Sequence, residues 1–324
     1  MRIADFARRA FGIGGAVVLL SGCRGSQPTI GAFGAIPQVP SNGRDSRYSW
    51  MRPEAKNADL LYVDSGENSN DVEIYTFPKA THVGELTGLP WASGMCTDQV
   101  GNVWIVNYES GGPIVEYAHG GTEQIATLNT SEGLTPQDCS VDPTTGNLAV
   151  VGSLRNDVKG RVLVFPRATG LPKRYRVWFA TTRYCAYDND GNLLVDGQGW
   201  NHPFFAAAEL PKGGRGFGKI SFEGSAPSYQ PAPVQWDGTY FAIGTPPDGI
   251  NRYAISSHIA KRKGSMTTDQ SEPYDFWIQG GRIAVTSRYG TPISAVAFYK
   301  YPAGGAATKV TKFKAAFATI SIAK

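Results

Sequence analysis

Three stretches of the chain repeat one short pattern at a fixed interval. Each reads as an apolar strand, a tight turn that contains Gly-Asn, and a second apolar strand. The Gly-Asn pairs begin at Gly101, Gly146 and Gly191, which lie 45 residues apart. Gly-Asn between two apolar runs predicts a β-hairpin, because glycine tolerates the positive φ that tight hairpin turns require. A fixed period of this length predicts a repeat architecture in which each unit packs on its neighbours.

From Asn57 onward the sequence divides into six such units. The first unit has candidates for its second, third and fourth strands but none for its first. Residues 317–323 have the alternation of the missing strand. Both observations are explained by a ring in which the C-terminal strand completes the first blade. Residues 57–324 supply about 45 residues for each of six units. The sequence therefore predicts an all-β fold, a six-bladed β-propeller of four-stranded antiparallel blades.

The pattern also gives candidate outer strands for the fourth and fifth units. In the fourth unit, residues 220–222 are the candidate outer strand. In the fifth unit, the candidate outer strand at residues 261–268 is polar, so we expect that edge to be irregular.

The first 22 residues have the features of an export signal. Arg2, Arg8 and Arg9 precede an apolar run that ends in Leu-Ser-Gly and Cys23. This ending resembles the lipobox of bacterial lipoproteins, which implies cleavage before Cys23 and acylation of its thiol. The paired arginines also resemble a twin-arginine signal, although the usual flanking Ser and Lys are missing. Arg24 follows the cysteine in place of an inner-membrane retention Asp, which favours the outer membrane or the cell surface over the inner membrane.

The sequence thus predicts three regions. They are a signal peptide at 1–22, a lipidated Cys23 with a flexible Gly/Pro/Ser tether at 23–56, and a propeller at 57–324. No other run approaches the ~18 apolar residues that a membrane span needs. The formal net charge is +4, and removal of residues 1–22 takes away three arginines and one aspartate, which leaves +2. This near balance gives no basis for nucleic-acid binding, and we expect a monomeric propeller.

Three cysteines remain after Cys23, an odd count that raises the question of a reactive thiol. Cys96, Cys139 and Cys185 each fall in the first strand of successive units. We therefore expect them to lie in different blades as small buried apolar residues. A disulfide or a metal site is the alternative.

The hairpins resemble the NHL repeat, whose first two strands read Gly-Ile-Ala-Val-Asp, a Gly-Asn turn and an apolar strand. Residues 94–106, 138–151 and 184–195 fit this pattern well, and the fifth and sixth units fit it loosely. The resemblance extends to the wider TolB-like group of six-bladed propellers, which includes gluconolactonase-type enzymes and streptogramin lyases. It implies a fold and leaves the function open.

Two aspartates stand where the NHL pattern prefers glycine. Asp138 and Asp275 are expected at the channel end of a first strand, where two carboxylates could bind a divalent cation or act as acid and base. The alternative is that each caps a loop or pairs with Arg155, Arg183 or Arg288.

The loops on the same face carry aromatic and polar residues that could form a rim for a sugar, an aromatic ligand or a peptide. Ordinary loop packing is the alternative. The candidate rim residues are Tyr108, Tyr184, Trp200, Asn201, His202, Tyr274 and Tyr289.

The catalytic sets of related enzymes cannot be assembled from the sequence. Lactonase-type propellers carry a metal-binding Glu on the opening strand, whereas residues 317–323 contain no Glu. The lyase types need several histidines, and only His202 is well placed. The sequence therefore favours a membrane-anchored, periplasm-facing or surface-exposed scaffold without a required cofactor, which binds an envelope protein, peptide or glycan. The alternatives are a metal-dependent lactonase or lyase and a purely architectural envelope subunit.

Overall fold

The Gly-Asn turns join the first and second strands of three successive sheets. In the computed structural model, Gly101, Gly146 and Gly191 have φ values of 90°, 69° and 85°, a region that favours glycine. The Asp98 carboxylate accepts the N–H groups of Val100 and of the turn asparagine in the first of these turns. The repeated Asp at this position therefore satisfies turn N–H groups that have no partner in a ladder.

The structure describes nine ranges of the chain. They are residues 48–64, 70–130, 133–154, 160–199, 204–245, 249–269, 273–287, 295–311 and 317–321. Seven of the predicted site, partner and lipidation residues lie outside these ranges: Cys23, Arg155, Trp200, Asn201, His202, Arg288 and Tyr289. The predicted signal peptide at 1–22 and residues 23–47 of the predicted tether also lie outside them.

Six sheets form the blades of a propeller, each built on four antiparallel strands, and the first and fifth sheets carry a fifth strand at the edge. The first blade holds β1 (Trp50–Met51), β2 (Leu60–Asp64), β3 (Val72–Thr76) and β4 (His82–Leu86). The second holds β5 (Ala92–Thr97), β6 (Val103–Asn107), β7 (Pro113–Tyr117) and β8 (Gln124–Asn129). The third holds β9 (Leu134–Val141), β10 (Leu148–Leu154), β11 (Arg161–Phe165) and β12 (Lys173–Arg176).

The fourth blade holds β13 (Thr181–Tyr187), β14 (Leu193–Gln198), β15 (Phe205–Leu210) and β16 (Gly218–Lys219). The fifth holds β17 (Ser221–Phe222), β18 (Val234–Trp236), β19 (Phe241–Thr245), β20 (Gly249–Ser256) and β21 (Ile259–Thr267). The sixth holds β22 (Pro273–Gln279), β23 (Arg282–Ser287), β24 (Val296–Lys300) and β25 (Lys309–Val310). Short 3₁₀ segments occupy Pro53–Asn57 and Pro166–Ala168. Within the described ranges, no helix has the length and apolar character needed to cross a bilayer.

The C-terminal strand closes the ring as predicted. β26 (Phe317–Ser321) pairs antiparallel with β2, the second strand of the first blade. The all-β, six-bladed prediction is thereby confirmed, including the origin of the first blade's missing strand.

Three outer edges differ from the sequence prediction. β1 pairs with β4, so residues 50–51 of the predicted tether belong to the first blade. Residues 221–222 do not belong to the outer strand of the fourth blade. β16 forms that strand, the Ile220 N–H still donates to the Ala207 carbonyl of β15, and β17 crosses to pair in parallel with β21. β21 is a nine-residue strand with one register shift along its pairing with β20, so most of the fifth blade's edge is regular.

The apolar core lies between the blades. Six buried clusters each combine residues of two neighbouring sheets. One of them joins Trp104 and Ile114 of the second blade to Leu148 and Leu163 of the third. Because each sheet is buried on both faces, its central strands read as continuous apolar runs instead of alternating ones.

The expectation for the cysteines is wrong in one respect. Cys96 and Cys139 form a disulfide that joins the second blade to the third, with their Cα atoms 5.7 Å apart. Within its hairpin, Cys96 lies opposite Trp104 on the second strand, whereas Cys139 lies opposite Val150. Val150 is the repeat equivalent of Ile105, the residue that follows Trp104. The two cysteines are therefore one position out of register and project from opposite faces of their strands. Cys185 is free and buried, and burial raises its thiol pKa well above the usual range, so it is a poor nucleophile.

Candidate functional site

The first strands of five blades enclose a cavity on the propeller axis. We call this the axial cavity, and its volume is about 210 Å³. Its lining includes Asp138, Cys185, Gln235, Trp236, Asp275 and Trp277. The cavity also reaches Gln99 and Pro143, in the turns between first and second strands. We call the side that bears these turns the turn face and the opposite side the loop face.

The structure brings the two predicted aspartates to the same cavity. The Asp138 Oδ2 atom accepts the N–H of Cys185 across the boundary between the third and fourth blades, at 3.0 Å. Burial raises the pKa of Asp138 well above its usual range, and the negative charge of Asp275 raises it further. Backbone N–H donors offset this only in part. One proton or one positive charge placed between the two side chains would therefore be strongly favoured.

Asp275 begins the buried part of β22. Its Oδ1 atom accepts the N–H of the next residue, Phe276, at 2.8 Å. Both aspartates thus use part of their hydrogen-bonding capacity on backbone and present a carboxylate to the axial cavity. Arg183, one of the arginines considered as a partner, donates a side-chain hydrogen bond to the Tyr274 hydroxyl.

Tyr184 and Tyr274 do not form an open rim. The Tyr184 hydroxyl donates to the backbone carbonyl of Tyr274 at 2.9 Å, which links the fourth blade to the sixth. An Nη atom of Arg183 lies 3.3 Å from the Tyr274 hydroxyl, and the guanidinium carbon lies 5.9 Å from both ring centroids. These three residues join blades that are not sequence neighbours, and none of them lines the axial cavity. They form a bridge on its loop-face side.

Tyr108 lies elsewhere. It follows β6, its side chain is exposed, and its N–H donates to the carbonyl of Trp91. It does not line the axial cavity.

The sequence interpretation missed Asp196. This residue lies in β14 and is 1% exposed. Its Oδ1 atom accepts the N–H of Tyr184 at 3.0 Å and its Oδ2 atom accepts the N–H of Ala232 at 2.9 Å. Burial raises its pKa to about 8, against the opposing effect of these donors and of Arg183. The signal was a single carboxylate in the otherwise apolar run 193–197.

It also missed Trp236 and Trp277, which line the axial cavity from the fifth and sixth blades. Trp277 additionally packs against clusters that contain residues of the first, second and third blades. The fifth and sixth units match the repeat only loosely, so the sequence did not mark which of their residues face the axis.

The carboxylates do not complete a metal site within the described residues. No group of three His, Cys, Asp or Glu side chains there could hold a metal ion. Calcium takes six to eight oxygen ligands and Zn²⁺ commonly takes three or four protein ligands.

Comparison with known proteins supports the fold alone. No family model matches the sequence, and no curated protein resembles it significantly. A protein of unknown function from Bacteroides caccae matches with a TM-score of 0.58 at 12% identity, over 82% of this chain and 99% of that one. A functionally unknown protein from Desulfotomaculum acetoxidans has a TM-score of 0.54 at 10% identity, over 75% of each chain. Kuenenia stuttgartiensis hydrazine synthase has a TM-score of 0.58 at 13% identity, over 79% of this chain and 83% of that one. Such likeness carries no ligand or reaction to this chain.

Proposed function

We propose that this protein is a lipid-anchored binding protein of the bacterial cell envelope, whose propeller holds a protein, peptide or glycan. Export is supported by the lipobox-like run that ends at Cys23. It is also supported by the Cys96–Cys139 disulfide, because disulfides persist mainly in oxidising compartments outside the cytosol. In this proposal the chain is a TolB-like propeller, and its NHL-like hairpins support that assignment.

The observation that carries the binding function is the axial cavity with Asp138 and Asp275 on its wall. A closed ring holds these side chains in place, because each blade is packed on both faces. Cavities with a few convergent polar groups on a rigid frame are typical ligand sites. Binding requires only that these groups complement a ligand. Catalysis requires a complete catalytic set, and the described residues assemble none.

The anchor is tested by labelling with a radioactive fatty acid in cells. We expect the full-length chain to incorporate label and to sediment with membranes. The Cys23→Ser variant should lose both properties, and Cys185→Ser, which removes a buried thiol, should keep them. Labelling of the Cys23→Ser variant would reject the lipoprotein assignment.

The binding function is tested by photo-crosslinking in intact cells with the tagged full-length chain. We expect one or a few envelope components to be captured, and their yield to fall in an Asp138→Asn, Asp275→Asn double variant that still folds. Absence of any crosslinked component, together with no binding in glycan and peptide screens, would reject the proposal.

A metal-dependent lactonase or lyase is the second candidate, and the pairing of Asp138 with Asp275 is the observation that favours it. It requires about one divalent ion per chain, with further ligands beyond this pair. Elemental mass spectrometry of the gently dialysed protein checks this. Metal that is lost in Asp138→Asn or Asp275→Asn would favour the enzyme, and a metal-free protein would exclude this candidate.

A further inference from the structure

Among the described residues, the axial cavity has a side-chain bridge on its loop-face side and a lining that reaches the turn face. On the loop-face side, the Tyr184 hydroxyl bonds to the Tyr274 carbonyl across the ring. On the other side, the lining extends to the exposed Gln99 and to Pro143 in two neighbouring turns. The described lining therefore gives a ligand a route from the turn face, opposite to the loop face that the sequence favours.

The lining is electronegative. Among the described residues that form it there are aspartates but no Lys, Arg or His. Asp98, one of these aspartates, uses both carboxylate oxygens within its own turn, on the N–H groups of Val100 and Asn102 and on the Asn102 amide. Asp138 and Asp275 are the acidic side chains in the deep part of the cavity, where a bound cation would replace the proton that burial and the charge of Asp275 favour on Asp138.

Two indole side chains complete the lining. Trp236 and Trp277 approach from adjacent blades, and both are partly buried. Aromatic faces attract organic cations because the ring quadrupole places negative potential over the ring, with tryptophan the strongest. Carboxylates beside tryptophans suit a ligand that combines positive charge with apolar surface.

The size of the cavity limits the ligand. At about 210 Å³ it is smaller than the ~300–1,000 Å³ of pockets that enclose drug-sized molecules. A compact ammonium compound fits this limit, whereas a long glycan or peptide could insert only one group.

We propose that the axial cavity binds a small organic cation, a primary or quaternary ammonium compound, between Asp138, Asp275 and the two tryptophans. This inference rests on the proposed binding function and specifies the ligand of its central cavity. An organic cation is favoured over a metal ion because it is stabilised by charge and aromatic contact without a full shell of oxygen ligands.

The test is isothermal titration calorimetry of the detergent-solubilised full-length chain with choline and with 3,3-dimethyl-1-butanol, its uncharged isostere. We expect saturable binding of choline and none of the alcohol. Equal binding of the two, or binding of neither, would overturn the cation proposal. A partner captured by crosslinking in cells would then still support the proposed function, so the two failures are distinguishable.

Variants locate the site. Asp138→Asn or Asp275→Asn should weaken choline binding by about tenfold or more, because each removes a partly desolvated countercharge. Trp277→Leu should weaken it by about three- to thirtyfold, whereas Trp178→Leu, an exposed tryptophan that does not line the cavity, should leave it unchanged. Unaltered affinity in all three cavity variants would overturn the site.

A pair of surface variants covers the case in which the cavity variants do not fold. Gln99 is exposed at the turn face, where its side-chain amide donates to the Pro143 carbonyl, so its replacement changes one surface bond and leaves the core intact. Gln99→Glu should strengthen choline binding and Gln99→Arg should weaken it, each by a fewfold at low salt, because a charge at the entrance acts on the cation. Identical affinities in these two variants would contradict entry from the turn face.

Discussion

Neighbouring blades of this propeller are joined by two different kinds of bond. Between the second and third blades, the Cys96–Cys139 disulfide crosses the interface. Between the third and fourth, side chains bond to backbone: Asp138 accepts the N–H of Cys185, and Thr182 accepts the N–H of Gly152. A disulfide does not respond to protonation at ordinary pH, whereas carboxylate contacts do. We therefore expect the first interface to set overall stability and the second to couple stability to pH and ligand.

Removal of the disulfide should have the largest effect. A Cys96→Ala, Cys139→Ala double variant frees a loop with a sequence separation of 43 in the unfolded chain. Loop-closure entropy then predicts a loss of about 4 kcal/mol in the free energy of unfolding. Guanidinium-induced unfolding without reductant measures it. Cys185→Ala, which removes a buried thiol outside the disulfide, is the control and should cost clearly less. Equal unfolding midpoints for the double variant and the wild type would show that the crosslink contributes nothing.

An effect of similar size concerns pH and Asp196, which bonds the fourth blade to the fifth through Ala232. Burial raises its pKa from the usual 3.8 to about 8. Between these values the native state binds a proton that the unfolded state has released. The stabilisation from this proton is complete below pH ~4 and is lost as the pH rises through about 8, at up to about 1.4 kcal/mol per unit.

The corresponding experiment measures the free energy of unfolding from pH 5 to pH 8. The wild type should lose stability across this range more steeply than Asp196→Asn, which cannot titrate. Asp190→Asn, in an exposed turn position, should retain the wild-type slope. Parallel profiles for Asp196→Asn and the wild type would contradict a raised pKa at this residue.

Local signals in the sequence predicted the fold well. These signals are the Gly-Asn turns, their 45-residue step and the incomplete first unit. Each lies within one blade or along one strand, so the blade count and the ring closure could be predicted from the sequence. Contacts between blades could not. The Cys96–Cys139 pairing depends on a one-residue register offset between two blades, and the role of Trp277 depends on how a loosely matching sixth blade faces the axis. Asp138 and Asp275 were found because each breaks a pattern within its own strand.

A smaller effect is expected at the buried end of the third and fourth blades' interface. The Thr182 hydroxyl is 1% exposed, accepts the N–H of Gly152 at 2.9 Å and can donate back to the Gly152 carbonyl at 2.6 Å. Thr182→Val keeps the shape but leaves that N–H without an acceptor, which should cost about 1–3 kcal/mol. Thr169→Val, whose hydroxyl bonds at an exposed site, should cost little. Equal losses in chemical denaturation would mean that burial of the bond is unimportant.

The smallest effect should come from the same kind of bond beside the axial cavity. Ser140 accepts the N–H of Tyr187 at 3.0 Å, again from the third blade to the fourth, but its side chain is partly exposed and lines the cavity. In Ser140→Ala, water in the cavity can reach the freed N–H, so the loss should stay below about 1 kcal/mol and below that of Thr182→Val. Both variants are compared in one denaturation series. A loss at Ser140 as large as that at Thr182 would mean that water does not reach this part of the cavity, and it would argue equally against a site that admits a charged ligand from the turn face.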